Sequence, residues 1–228
     1  KALDKVTIGD PRQKGVRMGS LVNDAQRNSV REQVAKIAKT AEVVYGDSSF
    51  ETLGADATKG AFMKPILLRE DNPLENEAAH ITEAFGPVST LMPYKTLDEA
   101  ITLSKMGKGS LVSSIITNDN KIARDYTIAA ATHHGRILVL NRESAKQSTG
   151  HGSPLPGLIH GGPGRAGGGQ EMGGIRGVKH YLQRCAIQGS PTTLTEITGI
   201  YQPKADYKEA EQHPFKYHWE DIQPGMSM

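Results

Sequence analysis

The sequence holds a single cysteine, Cys185, among 228 residues. That excludes a disulfide framework and any multi-cysteine metal centre, and it fits a reducing, cytoplasmic setting. No apolar run approaches the roughly 18 residues that a membrane-spanning helix needs, and no signal-like segment opens the chain. Neither sign of charge dominates: 27 Lys and Arg face 25 Asp and Glu, for a net +2. Without a Lys/Arg block there is no electrostatic footprint for nucleic acid. Aromatic residues make up only 5%. Two catalytic signatures are also missing, the G-x-S-x-G elbow of serine hydrolases and the G-x-x-x-x-G-K-[ST] phosphate loop.

Glycine is abundant but uneven, with twelve of the 25 lying between Gly150 and Gly177. Upstream of that stretch, helix and strand patterns alternate. Asn23 followed by Gln26 has capping-box spacing and opens a run in which Val30, Val34, Ile37 and Ala41 share one helical face. Residues 42–45 and 62–68 read as strands, the second ending in the turn Glu70-Asp71-Asn72-Pro73. Residues 87–94 read as extended, and Thr96 with Glu99 forms a second capping box ahead of Ala100, Ile101 and Leu103. Residues 111–116 have the β-branched character of a buried strand. Asp119 is placed to cap a helix reaching Thr132, with His133 and His134 in its last turn and Gly135 behind, and 136–140 is another strand. Strands separated by helices of this length predict an α/β fold, an open, mostly parallel sheet with flanking helices. Residues 178–187 read as one more strand. From Ser190 the chain turns polar and is punctuated by Pro191, Pro203, Pro214 and Pro224, while 201–219 hold five of the twelve aromatics. That composition reads as a linker entering a further domain, and the opening Lys1 reads as the start of a piece of a longer protein.

Several residue patterns invite chemistry. Gly162-Pro163-Gly164-Arg165-Ala166-Gly167 satisfies G-x-G-x-x-G, but the dinucleotide fingerprint needs a strand directly before it and a helix opening at its end. Here the preceding strand pattern ends some twenty residues earlier, so a tightly folded crossing is the simpler reading. Cys185 lies within a strand pattern, with no helix start or base beside it to lower its pKa, and reads as a packed cysteine. The eight His show no zinc-type spacing with a third ligand, so no metal site is expected. Glu83-Ala84-Phe85-Gly86-Pro87-Val88 sets a carboxylate and an aromatic ring directly before a strand, a pair able to hold a ribose hydroxyl and lie against a planar ring. A solvated Glu and a core Phe are the plainer alternative.

These pieces occur together in one family. Gly9-Asp10-Pro11, Met18-Gly19-Ser20-Leu21-Val22, Phe62-Met63-Lys64-Pro65, Glu83 to Val88 and Asn141 resemble successive motifs of the aldehyde dehydrogenase catalytic domain. Ala166-Gly167-Gly168-Gly169-Gln170-Glu171-Met172-Gly173 is similar to the family's S-G-x-G-R-E-x-G, with Ala and Gln at the Ser and Arg places. Residues 143–156 and 160–169 further resemble the subfamily of bacterial phenylacetate degradation, a bifunctional ring-opening type in which the dehydrogenase is fused to a MaoC-like hot-dog domain. His213-Pro214-Phe215 and the segment from Trp219 to Gly225 are similar to the start of that second domain.

The resemblance implies a division of the chain. Residues 1–178 would be the C-terminal part of the catalytic domain, 179–190 an oligomerisation strand joining copies of the chain, and 191–228 the linker and start of the hot-dog domain. It also implies that a thiolate attacks the aldehyde, hydride passes to NADP or NAD, and a Glu base directs hydrolysis of the thioester. Both catalytic groups lie upstream of the Gly-Asp-Pro motif in the family, so no catalytic residue is expected in this chain and no dehydrogenase activity from it alone. By resemblance Glu83 binds the nicotinamide ribose and Phe85 supports the nicotinamide ring. The loop after Asn141 is longer than usual, and His160 replaces the usual Phe before Gly-Gly. Ser148, His151 and His160 are therefore candidates for contacting an acyl-CoA semialdehyde substrate, with a structural or interdomain loop as the equal alternative. A non-catalytic nucleotide-binding or assembly module of the same fold is the alternative for the whole chain.

Overall fold

The computed structural model describes residues 2–46, 49–148, 161–167, 178–179, 181–182 and 185–206. The chain forms two compact units, Lys1–Lys95 and Thr96–Met228.

The first unit is built from helix α1 (Asp24–Ile37), strands β1 (Glu42–Tyr45) and β2 (Ile66–Arg69), the short helix α2 (Ala78–Ile81) and strand β3 (Val88–Leu91). Asn23 caps α1 as its spacing predicts, its side chain accepting from the Gln26 N–H at 2.9 Å. Val30 and Ile37 are the fully buried positions of the helix. Strand β2 is central, antiparallel to β1 and parallel to β3. Ile37, Ala41 and Leu68 form the core, with Val34, Val43, Ile66, Ala79 and Val88 around it. Leu68 is wholly buried, a contribution of about 1.5–3 kcal/mol. The strand expected over 62–68 begins only at Ile66, because Pro65 has no N–H to give to a ladder. Glu70, buried at the end of β2, accepts from the Asn72 N–H and the Asn76 side chain, both at 2.9 Å, and so shapes the turn that follows. Burial alone raises its pKa, but these bonds outweigh that and hold it below the ordinary value.

The second unit has α3 (Leu97–Met106), β4 (Ser110–Ile116), α4 (Asn120–Ala130), β5 (His134–Leu140), β6 (Ala186–Gln188) and α5 (Pro191–Thr198). Thr96 and Asp119 cap α3 and α4 as expected. Its sheet has the order β4-β5-β6 and is wholly parallel. Ile101, Ala123, Tyr126, Ala130, Ile137, Val139 and Ile197 form its core. The α/β class is as expected, with the strands divided into two three-stranded sheets, one per unit.

Three expectations need correction. The helix after Asp119 tightens into a 3-10 turn over Ala131–His133, and His134 is the first, buried residue of β5 rather than a helix-end cation. The strand expected over 178–187 is confined to Ala186–Gln188, while Val178, Lys179 and Tyr181 have helical backbone. The hydrogen bonds of β6 go to β5 of the same chain. Third, residues 191–198 are helical and not linker: Ser190 is the N-cap, Pro191 occupies the first turn, and Gly199 closes the helix in the left-handed region at φ +69°. Ile197 of this helix joins the core of the unit. The remainder of the expected linker, from residue 207, lies outside the described residues.

The described part of the glycine-rich stretch is a tight crossing. Gly162–Gly167 folds back on itself through the Gly162 N–H to the Gly167 carbonyl at 3.0 Å. It runs so close to the start of the sheet that a Cβ on Gly135 would strike the Gly161 carbonyl and one on Gly109 the Pro163 carbonyl. Among the described residues, 161–163 are not in a strand and Gly164–Ala166 is a single 3-10 turn, which is not the strand-to-helix setting of a phosphate loop. Among the described residues no helix is long and apolar enough to cross a membrane.

Candidate functional site

In the first unit a cleft of about 570 Å³ is lined by Met18 to Leu21, Gln26, Met63 and the Glu83–Pro87 loop. Each wall has a local cause. Ile8 and Met18 form a parallel bridge, the Gly9 N–H donates to the Met18 carbonyl at 3.1 Å, and the Leu21 N–H donates to the Ala61 carbonyl at 3.0 Å. Those bonds lay residues 18–21 along the cleft just ahead of α1. Beside them the Asp10 carboxylate accepts from the Arg12 N–H at 3.0 Å and from its guanidinium at 2.7 Å. The guanidinium bond, reinforced by the backbone bond, pulls Asp10 down to about 2, so it stays ionised at any physiological pH.

Glu83 and Phe85, paired by the sequence reading, do line this one cleft. Both side chains are exposed, Phe85 to 73%, so neither serves the core. An ionised carboxylate is an acceptor only, and two vicinal hydroxyls are the kind of donor pair it holds. The loop is short and fastened. The Gly86 N–H donates to the Ala84 carbonyl at 2.6 Å and the Val88 N–H to the Gly86 carbonyl at 2.8 Å. A Cβ on Gly86 would come within 2.7 Å of a Val30 methyl, so the backbone lies directly on α1. Gln26 is the lining residue whose role the sequence reading missed: its side chain donates to the Phe85 carbonyl at 2.9 Å. Its capping-box position was visible in the sequence, but the second bond spans 59 residues and follows only from the fold.

The second unit holds a separate cavity of about 440 Å³ where β5 and β6 end, lined among others by Glu143, Ser144, Gln147, Ser148, Gln188 and Ser190. Of the three substrate-loop candidates Ser148 is on its wall; His151 and His160 lie outside the described residues. Asn141 braces two of the lining residues, Ser144 and Ser190. Its Nδ2 donates to Thr193 Oγ1 at 3.0 Å and Ser190 Oγ at 3.3 Å, and its Oδ1 accepts from the Ser144 N–H at 2.9 Å. The end of β5 is thereby tied to the cap of α5. Cys185 packs against the core of the unit, and burial pushes its pKa up to about 11. It is held as a thiol, the wrong state for a nucleophile. Among the described residues no three His, Cys, Asp or Glu side chains gather as metal ligands.

The α/β framework with parallel strands has counterparts among solved structures. Betaine aldehyde dehydrogenase from Staphylococcus aureus, solved with NAD+, matches over 79% of this chain and 33% of its own, with a TM-score of 0.62 at 20% identity. Succinic semialdehyde dehydrogenase from Streptococcus pyogenes, solved with NADP+, matches over 73% of this chain and 33% of its own, with a TM-score of 0.58 at 20% identity. At that identity the likeness speaks for the fold. The sequence profile of the aldehyde dehydrogenase family matches residues 1–187, and the chain belongs to that family. Among named relatives, Protein MaoC of Klebsiella aerogenes is 50% identical over 213 residues, which are 92% of this chain and 62% of the relative. The 3,4-dehydroadipyl-CoA semialdehyde dehydrogenase of Aromatoleum evansii is 40% identical over 157 residues, 68% of this chain and 30% of the relative. The chain thus spans less than two thirds of the length of either.

Proposed function

We propose that this chain forms one wall of the active site of a nicotinamide-dependent dehydrogenase that oxidises an acyl-CoA semialdehyde of the kind met in phenylacetate degradation. The observation that carries the reading is the joint placement of Glu83 and Phe85, both exposed, on the lip of one cleft ahead of α1. Glu83 binds the two hydroxyls of the nicotinamide ribose, and Phe85 lies against the nicotinamide ring and limits its tilt. The cleft fits that group: it is roomy, its lip offers an acceptor-only carboxylate beside a planar apolar face, and Met63 and Leu21 give it apolar walls. When bound, the nicotinamide cofactor accepts hydride from the aldehyde carbon. Holding the ribose at one point and the ring at another fixes the distance to the reacting carbon, which is where such enzymes gain rate.

The nucleophile and the general base are supplied by polypeptide outside residues 1–228, since Cys185 is packed and protonated. NADP is the preferred cofactor, with NAD as the alternative. The semialdehyde assignment draws support from the Aromatoleum relative, whose name carries that substrate class, and from the polar wall around Ser148. His151 and His160, which lie outside the described residues, remain candidates for the same substrate contact. A fused hydratase-type domain and self-association of copies through residues 179–190 complete the proposal, the first supported by the longer MaoC relative.

The test is a binding titration followed by turnover. Reduced nicotinamide mononucleotide (half of the cofactor, lacking the adenosine) should bind the 228-residue chain weakly and should lose about tenfold in affinity on Glu83→Gln, the size of one charge-assisted hydrogen bond. Equal binding by wild type and Glu83→Gln would refute the ribose assignment. The full-length gene product should oxidise an acyl-CoA semialdehyde with NADP+. Failure of that turnover with intact cofactor binding would leave the family but remove the substrate.

A further inference from the structure

Gln26 makes three hydrogen bonds that converge on the cleft. Its backbone N–H donates to Asn23 Oδ1 at 2.9 Å, its Oε1 accepts from the Val22 N–H at 3.1 Å, and its Nε2 donates to the Phe85 carbonyl at 2.9 Å. The amide cannot be turned over: a backbone N–H faces one end and a backbone carbonyl the other, so oxygen and nitrogen are each assigned by their partner. One side chain therefore joins the entrance of α1 to the loop that presents Phe85. The bond grips the loop at its main chain and leaves the ring itself 73% exposed. One residue further on, Gly86 rests on the buried Val30 of the same helix. Two contacts to α1, four residues apart on that helix, thus set the height and the angle of the segment between Glu83 and Pro87.

We infer that Gln26 is a positioning residue for cofactor binding, acting through the Phe85 carbonyl to hold the Phe85 ring and the Glu83 carboxylate in register. The inference rests on the reading of this cleft as the nicotinamide ribose site. Without the amide donor the loop keeps the Gly86 seat, its own two-residue bonds and, at its far end, the bond from the Ile66 N–H to the Pro87 carbonyl at 2.9 Å, and the part ahead of Gly86 pivots about that residue. The ring then samples several angles, and each bound nicotinamide must order it afresh. That cost appears as lost affinity and as a lost spectroscopic signature, not as lost folding.

The discriminating variant is Gln26→Glu. It keeps the oxygen that accepts from Val22, and Glu at the third position of a capped helix is favoured both by the capping box and by the helix dipole. It removes only the donor to Phe85 and sets an acceptor against an acceptor. In the 228-residue chain, amide exchange in α1 should be unchanged, while exchange at Gly86 should quicken at least about fivefold, in keeping with the loss of one hydrogen bond. Reduced nicotinamide mononucleotide should bind about tenfold more weakly. The upfield ring-current shift that Phe85 imposes on the nicotinamide protons should shrink, as it should on Phe85→Leu. Unchanged Gly86 exchange together with affinity within twofold of wild type would overturn the inference. If wild type shows no binding of the mononucleotide, the cofactor reading falls and the positioning role falls with it. Quickened exchange at Gly86 would then still separate a true clamp from an idle contact.

Discussion

Replacing Gly86 by Ala tests the seat of the cofactor loop on helix α1. The added Cβ would lie 2.7 Å from one Val30 methyl and 3.1 Å from the other, against an optimum of about 3.5–4.0 Å for carbon pairs. Val30 cannot step aside cheaply, since it is 1% exposed and valine in a helix has one dominant rotamer. The loop must therefore retreat by close to an ångström, an overpacking cost of about 1–3 kcal/mol. Val30→Ala alone removes two methyl groups worth about 0.8 kcal/mol each, partly offset by about 0.5 kcal/mol from the better helix propensity of alanine. In the double variant the clash is gone. Gly86→Ala should then cost less than about 0.5 kcal/mol, giving a coupling of about 1–2 kcal/mol between the two sites. Because the chain has two units, the assay should report on the first alone, and native-state hydrogen exchange of the α1 amides does so. Costs that simply add, within about 0.3 kcal/mol, would show that Gly86 is not seated on Val30.

Two further outcomes follow from the titrating groups of the second unit. Cys185, at about 11, should react with iodoacetamide at pH 8 about twentyfold more slowly than a free cysteine, a roughly two-hundredfold loss of thiolate being partly offset by greater intrinsic nucleophilicity; a rate equal to that of free cysteine would contradict its packed position. His134 is depressed to about 4, by burial first and by the charge of His133 second. The unfolded chain protonates this residue near 6.5 and the folded chain does not until about 4, so the unfolded state binds more protons in that interval. Stability is thus fully present above about pH 6.5 and is lost as the pH falls towards 4, by about 2–3 kcal/mol. His134→Gln should flatten the urea midpoint of the second unit across that window, and an unchanged slope would assign the effect to another group.

Much of the architecture was legible because it is written in local terms. The caps at Asn23, Thr96 and Asp119 depend on residues two or three positions away, and each was found where its spacing put it. Strand β4 was visible as a β-branched run for the same reason. The segment after Ser190 misled because its composition is polar, yet Thr192, Thr193 and Thr195 are turned inward. Thr192 and Thr195 are buried, and their hydroxyls accept from the N–H groups of Asp206 and Gln202. A polar residue reads as surface in a sequence, whereas here its buried hydroxyl satisfies a backbone donor of the chain that follows the helix. His134 misled in a similar way. Its place at the end of a helical pattern hid the fact that the strand starts there, with its ring against Ser110 at 2.6 Å.

The residues themselves determined the starts of α1, α3 and α4, the α/β rhythm, the exclusion of disulfides, and the family to which the motifs belong. Such features need only short-range periodicity, capping chemistry and composition, and all of these survive in a linear string. Tertiary structure alone decided that Glu83 and Phe85 stay exposed on one cleft and that Gln26 reaches across 59 residues to hold their loop, and it supplied the burial that raises the pKa of Cys185, whose packing the sequence already suggested, to about 11. Exposure, burial and long-range hydrogen bonding depend on which distant segments the core brings together. The single cysteine noted at the outset is the plainest case: its count limits the chemistry, and only its surroundings show that it stays protonated.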